Sequence, residues 1–359
     1  MKKEEIMFLS GSGNYRFGFK VLQKLNELSG QNVFSFDHIN YNEFPEGELD
    51  NRIPSYGKIK NKTIVLFQSM HTQELVTETL DLLWAIKHQY QAKNIICIFP
   101  FMWNRRQDPK MEIDKNELER IPKPDEFQRL RMIISMLQHC GMDDLIVATP
   151  HSKTMFETCK EFNVIMHEID PSELFVERIR TFVPESELGL IRSYAPDRGS
   201  IIRAVKIAKM LNCPIFFNLK NRMIYNETSI VTTEGINLKE KEEELRVKYS
   251  FPEIHYVTSE LVKDKIMLIV EDEIASGGTA NSTAKLLRKN GAKDIFLLAT
   301  HPVLTMGWKN KLFNENPFTR IIATDSIPRH YKKRTGGLIV DVSITQQVAS
   351  SLFQILNRL

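Results

Sequence analysis

The chain has 359 residues, 42% of them hydrophobic and 26% charged, which is long enough for two hydrophobic cores and ordinary for a globular protein. Its 48 basic and 45 acidic residues leave a net charge of +3, without the basic excess of a dedicated nucleic-acid binder. No run approaches the roughly 18 apolar residues of a membrane span. The opening MKKEEIMFLSGSGNYRFG is too acidic and too briefly apolar for a signal peptide, so a cytoplasmic chain without a membrane partner is expected. Four widely spaced cysteines, Cys97, Cys140, Cys159 and Cys213, form no Cys-x-x-Cys pair and read as reduced, buried thiols.

Short apolar runs alternate with longer amphipathic stretches along the chain. The runs are TIVLFQS (63–69), NIICIFPF (94–101), DLIVATPH (144–151), LGLIRSYAPD (188–197), PIFFNL (214–219), IMLIVED (266–272), DIFLLATH (294–301) and RIIATDS (320–326). Continuous runs of this kind suit parallel strands covered on both faces. Residues 74–92 show a helical period through Leu75, Leu80, Leu83, Ala85 and Ile86, and residues 199–212 through Ile202, Val205, Ala208 and Met210. Residues 236–255 form a charged, strand-poor stretch that reads as a solvated surface helix. The alternation predicts a doubly wound α/β fold, with the runs in two groups divided near residue 165. In such sheets ligands lie beyond the carboxyl ends of the strands, so the residues just after each run are the informative ones.

The run at 266–272 ends in Glu271 and Asp272, and Ser276, Gly277, Gly278 and Thr279 then lead into a helical stretch. Two carboxylates at the end of a buried strand need partners, and the vicinal hydroxyls of a ribose with a magnesium ion would suit them. A glycine turn at a helix start exposes backbone N–H groups to an anion and lets it approach closely. The bland reading is an ordinary strand–turn–helix connection capped by Ser and Thr. The acids at this short, fixed distance favour a ribose phosphate. The turn has no Gly-Lys-Ser/Thr and is not a nucleotide P-loop.

With its flanks, IVEDEIASGGTANSTAKLLRKNGAKDIFLLATHPVLT resembles the phosphoribosyl-pyrophosphate loop of type I phosphoribosyltransferases, and GAKDIFLLATHPVLT points to the ribose-phosphate pyrophosphokinase branch. Other segments resemble that branch in order over roughly residues 5–355: IMFLSGSGNYRFGFKVLQKL, NEFPEGELDNRIP, FPFMWNRRQDPK, TPHS, YAPDRGSIIRA and FFNLKNRM. The resemblance implies two doubly wound parallel-sheet domains of the type I phosphoribosyltransferase kind. They would span residues 1–165 and 166–327, with 328–359 packing back on the first and an extended lid at 223–262. It implies ATP binding by Phe44, Glu46, Glu48, Arg106, Gln107 and Asp108, and catalysis by Lys220, Arg222 and His151. A ribose 5-phosphate unit would bind Glu271, Asp272, Ala275, Ser276, Gly277, Gly278 and Thr279, and Mg2+ would lie against His151 and Asp197. The implied reaction moves the β,γ-pyrophosphoryl group of ATP to the anomeric hydroxyl of that unit and releases AMP. Self-association into a homo-oligomer is also implied. Taken alone, Phe44 reads as core, His151 as a strand-end histidine, Arg106-Gln107-Asp108 as a polar loop, and Lys220 and Arg222 as surface charges.

The chain departs from the family pattern at four places. Ala275 and Ser276 stand for an acid and a Thr, and Glu273 for a small or apolar residue. Asn104-Arg105 stand for Tyr-Ala with Pro109 for a basic residue, and the segment at 223–262 is longer than usual. Three of these changes cluster around the acceptor. Ribose 5-phosphate and ADP-ribose, whose 5-phosphate is a diester and whose anomeric hydroxyl is free, therefore stand as equal candidates. ADP-ribose would yield ADP-ribose pyrophosphate, a step in rebuilding NAD. A base-using phosphoribosyltransferase and an inactive regulatory subunit are the other two classes. The length and the Arg-Gln-Asp segment speak against the first, and the presence of His151, Asp197, Lys220 and Arg222 against the second.

Overall fold

The computed structural model describes residues 5–30, 34–37, 39–106, 127–217, 238–251, 253–314, 317–329 and 335–358. The chain folds into two compact units. One comprises Met1–Ile169, Ser326–Pro328 and Ile344–Leu359, and the other Asp170–Asp325 and Arg329–Ser343.

The first unit runs β1 (Ile6–Ser10), α1 (Tyr15–Ser29), β2 (Phe36–Asp37), β3 (Thr63–Phe67), α2 (Gln73–Trp84), β4 (Asn94–Ile98), α3 (Arg129–His139), β5 (Asp144–Ala148), α4 (Lys153–Glu161) and β6 (Ile165–Ile169). The second begins α5 (Ser172–Arg180), β7 (Ile191–Ala195), α6 (Ile201–Leu211), β8 (Ile215–Phe217), α7 (Leu238–Tyr249), β9 (Ile254–Tyr256) and α8 (Ser259–Val262). It continues β10 (Ile266–Ile274), α9 (Gly278–Lys289), β11 (Asp294–Pro302), β12 (Arg320–Thr324) and β13 (Ile339–Val342). The final helix, α10 (Thr345–Leu356), belongs to the first unit and lies along α1.

Each unit holds one parallel sheet, in the order β2-β1-β3-β4-β5-β6 and β13-β12-β11-β10-β7-β8-β9. Parallel strands need long crossovers, which here are helices, and helices on both faces leave no wet side to the strands. Every residue of β3 is accordingly buried. Successive residues of β10 feed opposite cores. Ile266, Leu268 and Val270 pack with Ala204 and Ala208 of α6, while Met267 and Ile269 pack with Ala280, Ala284 and Leu287 of α9.

Several boundaries differ from those read in the sequence. The run at 188–197 opens as a 3-10 turn, Glu185–Leu190, before β7 begins. On α2 the buried residues are Val76, Leu82, Leu83 and Ile86 with Thr79 and Glu78, while Leu75, Leu80 and Ala85 are half-buried. The stripe is rotated because two of its members are polar. On α6, Ile201, Ala204, Val205, Ile207 and Ala208 are buried, and Ile202 and Met210 face outward.

The expected lid falls partly outside the described residues, at 223–237. The rest, 238–262, is docked on the second unit. Leu245 of α7 is buried beside Ile254, Arg246 Nε donates to the Ile254 carbonyl at 3.3 Å, and β9 extends the sheet next to β8. The stretch read as strand-poor thus contains an edge strand, three residues long and flanked by charge. The return expected at residue 328 is split, because β13 pairs with β12 in the second sheet before α10 rejoins the first unit. Among the described residues no helix is long and apolar enough to cross a membrane.

Cys97, Cys159 and Cys213 are buried, but Cys140 at the end of α3 is only half-buried. Burial pushes the thiol of Cys159 up to about 12 and that of Cys213 up to about 11. Burial also raises Cys97, with Asp143 and Asp144 adding to it. Burial and then Asp81 raise Cys140. The thiolate is the nucleophile, so alkylation of the folded protein at neutral pH should be slow everywhere and fastest at Cys140. Mass spectrometry after iodoacetamide treatment should find Cys140 modified first, with the other three reacting only once denaturant opens the cores.

Candidate functional site

In the first unit the strand order reverses between β1 and β3, the place where an open α/β sheet usually receives a ligand. Side chains of the protein fill that place. Gln68 Oε1 accepts from the N–H groups of Gly13 at 2.8 Å and Ser69 at 3.1 Å, and Gln68 Nε2 donates to Glu78 Oε1 at 2.9 Å. The Ser12 N–H donates to the same Glu78 oxygen at 2.8 Å and the Ser12 hydroxyl to the other one. Glu78 is buried, and these bonds meet the cost of burying its carboxylate. A Cβ at Gly13 would lie 2.3 Å from Gln68 Oε1, so no larger residue fits there. None of this network was legible in the sequence, which shows only SGSG and an amphipathic helix.

The nucleotide residues expected from the sequence occupy neighbouring loops of this unit. Phe44, Glu46 and Glu48 sit on a hairpin between the antiparallel bridges Asn40–Arg52 and Glu43–Leu49. The Phe44 N–H donates to the Glu48 carbonyl at 2.8 Å, and Gly47 takes φ +95° at the tip. Phe44 is 46% exposed, so it is not a core residue, and Glu46 and Glu48 are exposed beside it. An exposed ring on a braced hairpin is a stacking surface.

After β4, Arg106 is exposed, and Gln107 and Asp108 lie outside the described residues. Arg105, which the sequence marks only as a departure, is buried. Its guanidinium lies 5.1 Å from the Phe101 ring centre, and Nη1 donates to the Thr149 carbonyl at 3.5 Å. It therefore ties the loop after β4 to the loop after β5. Thr149 holds φ +34°, a left-handed conformation that costs a residue with a Cβ about 1–2 kcal/mol. Strain of this kind concentrates at functional sites. His151 follows two residues later, half-buried, just before Ser152 caps α4 by accepting from the Thr154 N–H at 3.2 Å. The turn that presents His151 is thus fixed from both sides.

In the second unit the order reverses between β7 and β10. Asp197 follows β7, and Glu271 and Asp272 lie near the end of β10. Asp197 Oδ1 accepts from the Ser200 N–H at 3.0 Å, and the Ser200 oxygen accepts from the Asp197 N–H at 3.2 Å. Oδ1 is spent on the turn, and Oδ2 makes no hydrogen bond among the described residues. Ser200 was not singled out in the sequence, although it closes this turn while fully buried.

Because β10 continues to Ile274, Glu271 and Asp272 project to opposite faces of the sheet. They are not a side-by-side pair. Asp272 is buried on the α6 side, 4.0 Å from Arg203 Nη2. Glu271 faces the α9 side, and Glu273 is in register with His301 of β11. Lys220 and Arg222 lie outside the described residues.

Ala275 and Ser276, both half-buried, lead to Gly277 at φ +76°, and α9 starts at Gly278. No side chain caps this helix start. The first helical bond runs from the Asn281 N–H to the Gly277 carbonyl, so the N–H groups of Gly278, Thr279 and Ala280 have no helical acceptor. The capped-connection reading therefore fails. The turn is a set of free donors at the positive end of a helix, suited to an anion.

This architecture, two parallel sheets flanked by helices with a Gly-Gly turn at one order reversal, defines a two-unit α/β protein. It is similar over 99% of both chains to the crystal structure of phosphoribosylpyrophosphate synthetase from Mycobacterium smegmatis, with a TM-score of 0.74 and 21% identity. Residues 239–358 match the phosphoribosyl synthetase-associated domain. The chain is 26% identical to the ribose-phosphate pyrophosphokinase of Saccharolobus solfataricus, across 86% of this chain and 89% of that protein. It is 22% identical to the ribose-phosphate pyrophosphokinase of Ralstonia nicotianae, across 99% and 96%. Over most of its length the chain is similar to ribose-phosphate pyrophosphokinases, at 22–26% identity in these relatives.

Gly277 is required twice over, by its positive φ and because a Cβ there would lie 2.5 Å from Leu312. Gly30 has a similar φ of +69° but nothing within 4 Å of that position. Gly30→Ala should cost about 1–2 kcal/mol, the backbone term alone. Gly277→Ala should cost clearly more. Urea unfolding of the two variants measures the difference.

Proposed function

We propose that the protein is an ATP-dependent diphosphokinase that transfers the β,γ-pyrophosphoryl group of ATP to the anomeric hydroxyl of a ribose 5-phosphate unit and releases AMP. The observation that carries this reading is the uncapped turn at Ser276–Thr279, flanked by Glu271 and Asp272 at one sheet reversal and by Asp197 at the same reversal. The similarity to ribose-phosphate pyrophosphokinases over most of the chain supports it.

The N–H groups at the start of α9 hold the 5-phosphate, and Glu271 and Asp272 accept hydrogen bonds from the ribose hydroxyls. Phe44 stacks on the adenine, while Glu46, Glu48, Arg106, Gln107 and Asp108 complete the nucleotide side. Phosphoryl transfer needs positioning and charge neutralisation more than covalent help from the protein. Lys220 and Arg222 supply that charge to the moving phosphoryl oxygens.

Among the described residues no three His, Cys, Asp or Glu side chains converge as a metal cluster. Asp197 still keeps one carboxylate oxygen unspent, a hard donor of the type that holds magnesium through one or two ligands and water. Mg2+ bound with ATP would neutralise phosphate charge; Asp197 on the second unit and His151 on the first are the ligands we propose each unit would offer it.

The acceptor is ribose 5-phosphate or ADP-ribose. Ala275 beside the turn adds no carboxylate and so leaves room for either phosphate. Purified protein with ATP and Mg2+ should release AMP with at least one of these acceptors, and the comparison of the two assigns the substrate. A requirement for a nucleobase would reveal a phosphoribosyltransferase, and no turnover with either acceptor would leave a regulatory subunit. Lys220→Ala should melt like the wild type and lose about 10²–10³ in turnover, as expected for one preorganised charged donor. Wild-type rates of AMP release would remove Lys220 from the catalytic set.

A further inference from the structure

We propose that Lys311 is a specificity-determining residue that reads the 5-phosphoryl group of the acceptor, a reading that rests on the ribose-phosphate assignment of the α9 turn. Nothing in the sequence pointed to it, because it lies 35 positions from Ser276 in a polar stretch, WKNKLFN.

The structure folds this stretch back over the turn. Asn310–Asn314 forms a single π-helical turn, a form that is rare and concentrated at functional sites. Leu312 is its anchor. It is fully buried, and its side chain fills the space where Gly277 lacks a Cβ. Its neighbour Lys311 reaches the other way, with Nζ 3.4 Å from Ser276 Oγ. The same Nζ lies 3.3 Å from the position a Cβ on Gly278 would take. The two glycines therefore have separate uses, one admitting Leu312 and the other the ammonium.

The ammonium stands at the mouth of the free N–H groups of Gly278, Thr279 and Ala280, where helix polarity already favours a negative charge. A cation placed there is electrostatically unfavourable unless an anion joins it. Among the described residues Lys311 bonds the neutral Ser276 hydroxyl and pairs with no carboxylate. An anion held by the helix start and the ammonium together resolves both mismatches. A phosphate monoester fits best, since it carries about −1.5 to −2 charges at neutral pH and three acceptor oxygens. A diester carries one charge and gains less from the lysine.

The test is equilibrium binding by calorimetry, with ribose 5-phosphate, ADP-ribose, unphosphorylated ribose and ATP titrated separately into the full-length protein. For Lys311→Met, ribose 5-phosphate should bind about 10–100-fold more weakly, the scale of one lost charge-assisted hydrogen bond. ADP-ribose should weaken less, and ATP should be unaffected. Lys311→Gln separates charge from hydrogen bonding: it should fail like Met, while Lys311→Arg should restore most of the affinity.

Unchanged binding of both phosphorylated acceptors by Lys311→Met would overturn the role, as would rescue by Gln, which would make the contact to Ser276 purely structural. Equal losses for ATP and the acceptors would also overturn it, by showing general damage. If the wild type binds ATP but neither phosphorylated acceptor, the assignment of the turn itself fails, and the role of Lys311 fails with it.

Discussion

Parallel strands cannot be joined by tight turns, and that constraint sets where chemistry is available in this protein. Each strand is followed by a crossover, so all the carboxyl ends of a sheet emerge along one edge. In the second unit β7 and β10 are hydrogen-bonded neighbours although a large stretch of chain separates them. Asp197 and the Glu271–Thr279 segment, distant in sequence, thereby come to one reversal point. The cores are built to hold that edge still: β10 is clamped by α6 on one face and α9 on the other.

The two reversal points have been used differently. In the second unit the helix after the turn is left uncapped, and three N–H groups have no acceptor of their own. In the first unit the corresponding crevice is closed by Gln68, Glu78 and Ser12, each satisfied by the others. Unspent donors at a helix start suit an anion. A site that must keep its shape spends them internally, because a half-satisfied buried network is worse than none. In the first unit Phe44 is exposed on a hairpin closed by its own backbone bonds, and Arg106 on the loop that Arg105 ties to the strained Thr149.

What could be read from the sequence follows from the same physics. Buried parallel strands announce themselves as apolar runs, so β3, β4, β5, β10, β11 and β12 were visible, and with them the fold class. The edge strands β2 and β9 are two and three residues long and fell below any pattern. Helix faces were misplaced by a turn's rotation where polar Thr79 and Glu78 are buried, since a hydrophobic period counts only apolar residues. The loop Glu271–Thr279 was legible because its acids and glycines are contiguous. Ser200, Arg105 and Lys311 were not, because each acts through a partner chosen by the fold rather than by spacing.

The alternation of β10 also revises how the acids divide their work. A continuous strand through Ile274 sends Asp272 to the α6 face, where Arg203 lies beside it, and sends Glu271 to the α9 face. A ribose whose hydroxyls meet both Glu271 and Asp272 must therefore straddle the strand end rather than lie on one side of it. A phosphate held at the turn that follows, as proposed, would be repelled by carboxylates. Ala275 contributes no charge there, and Lys311 contributes a positive one. At this strand end the carboxylates stop at Glu273, and the uncapped helix start and the Lys311 ammonium follow.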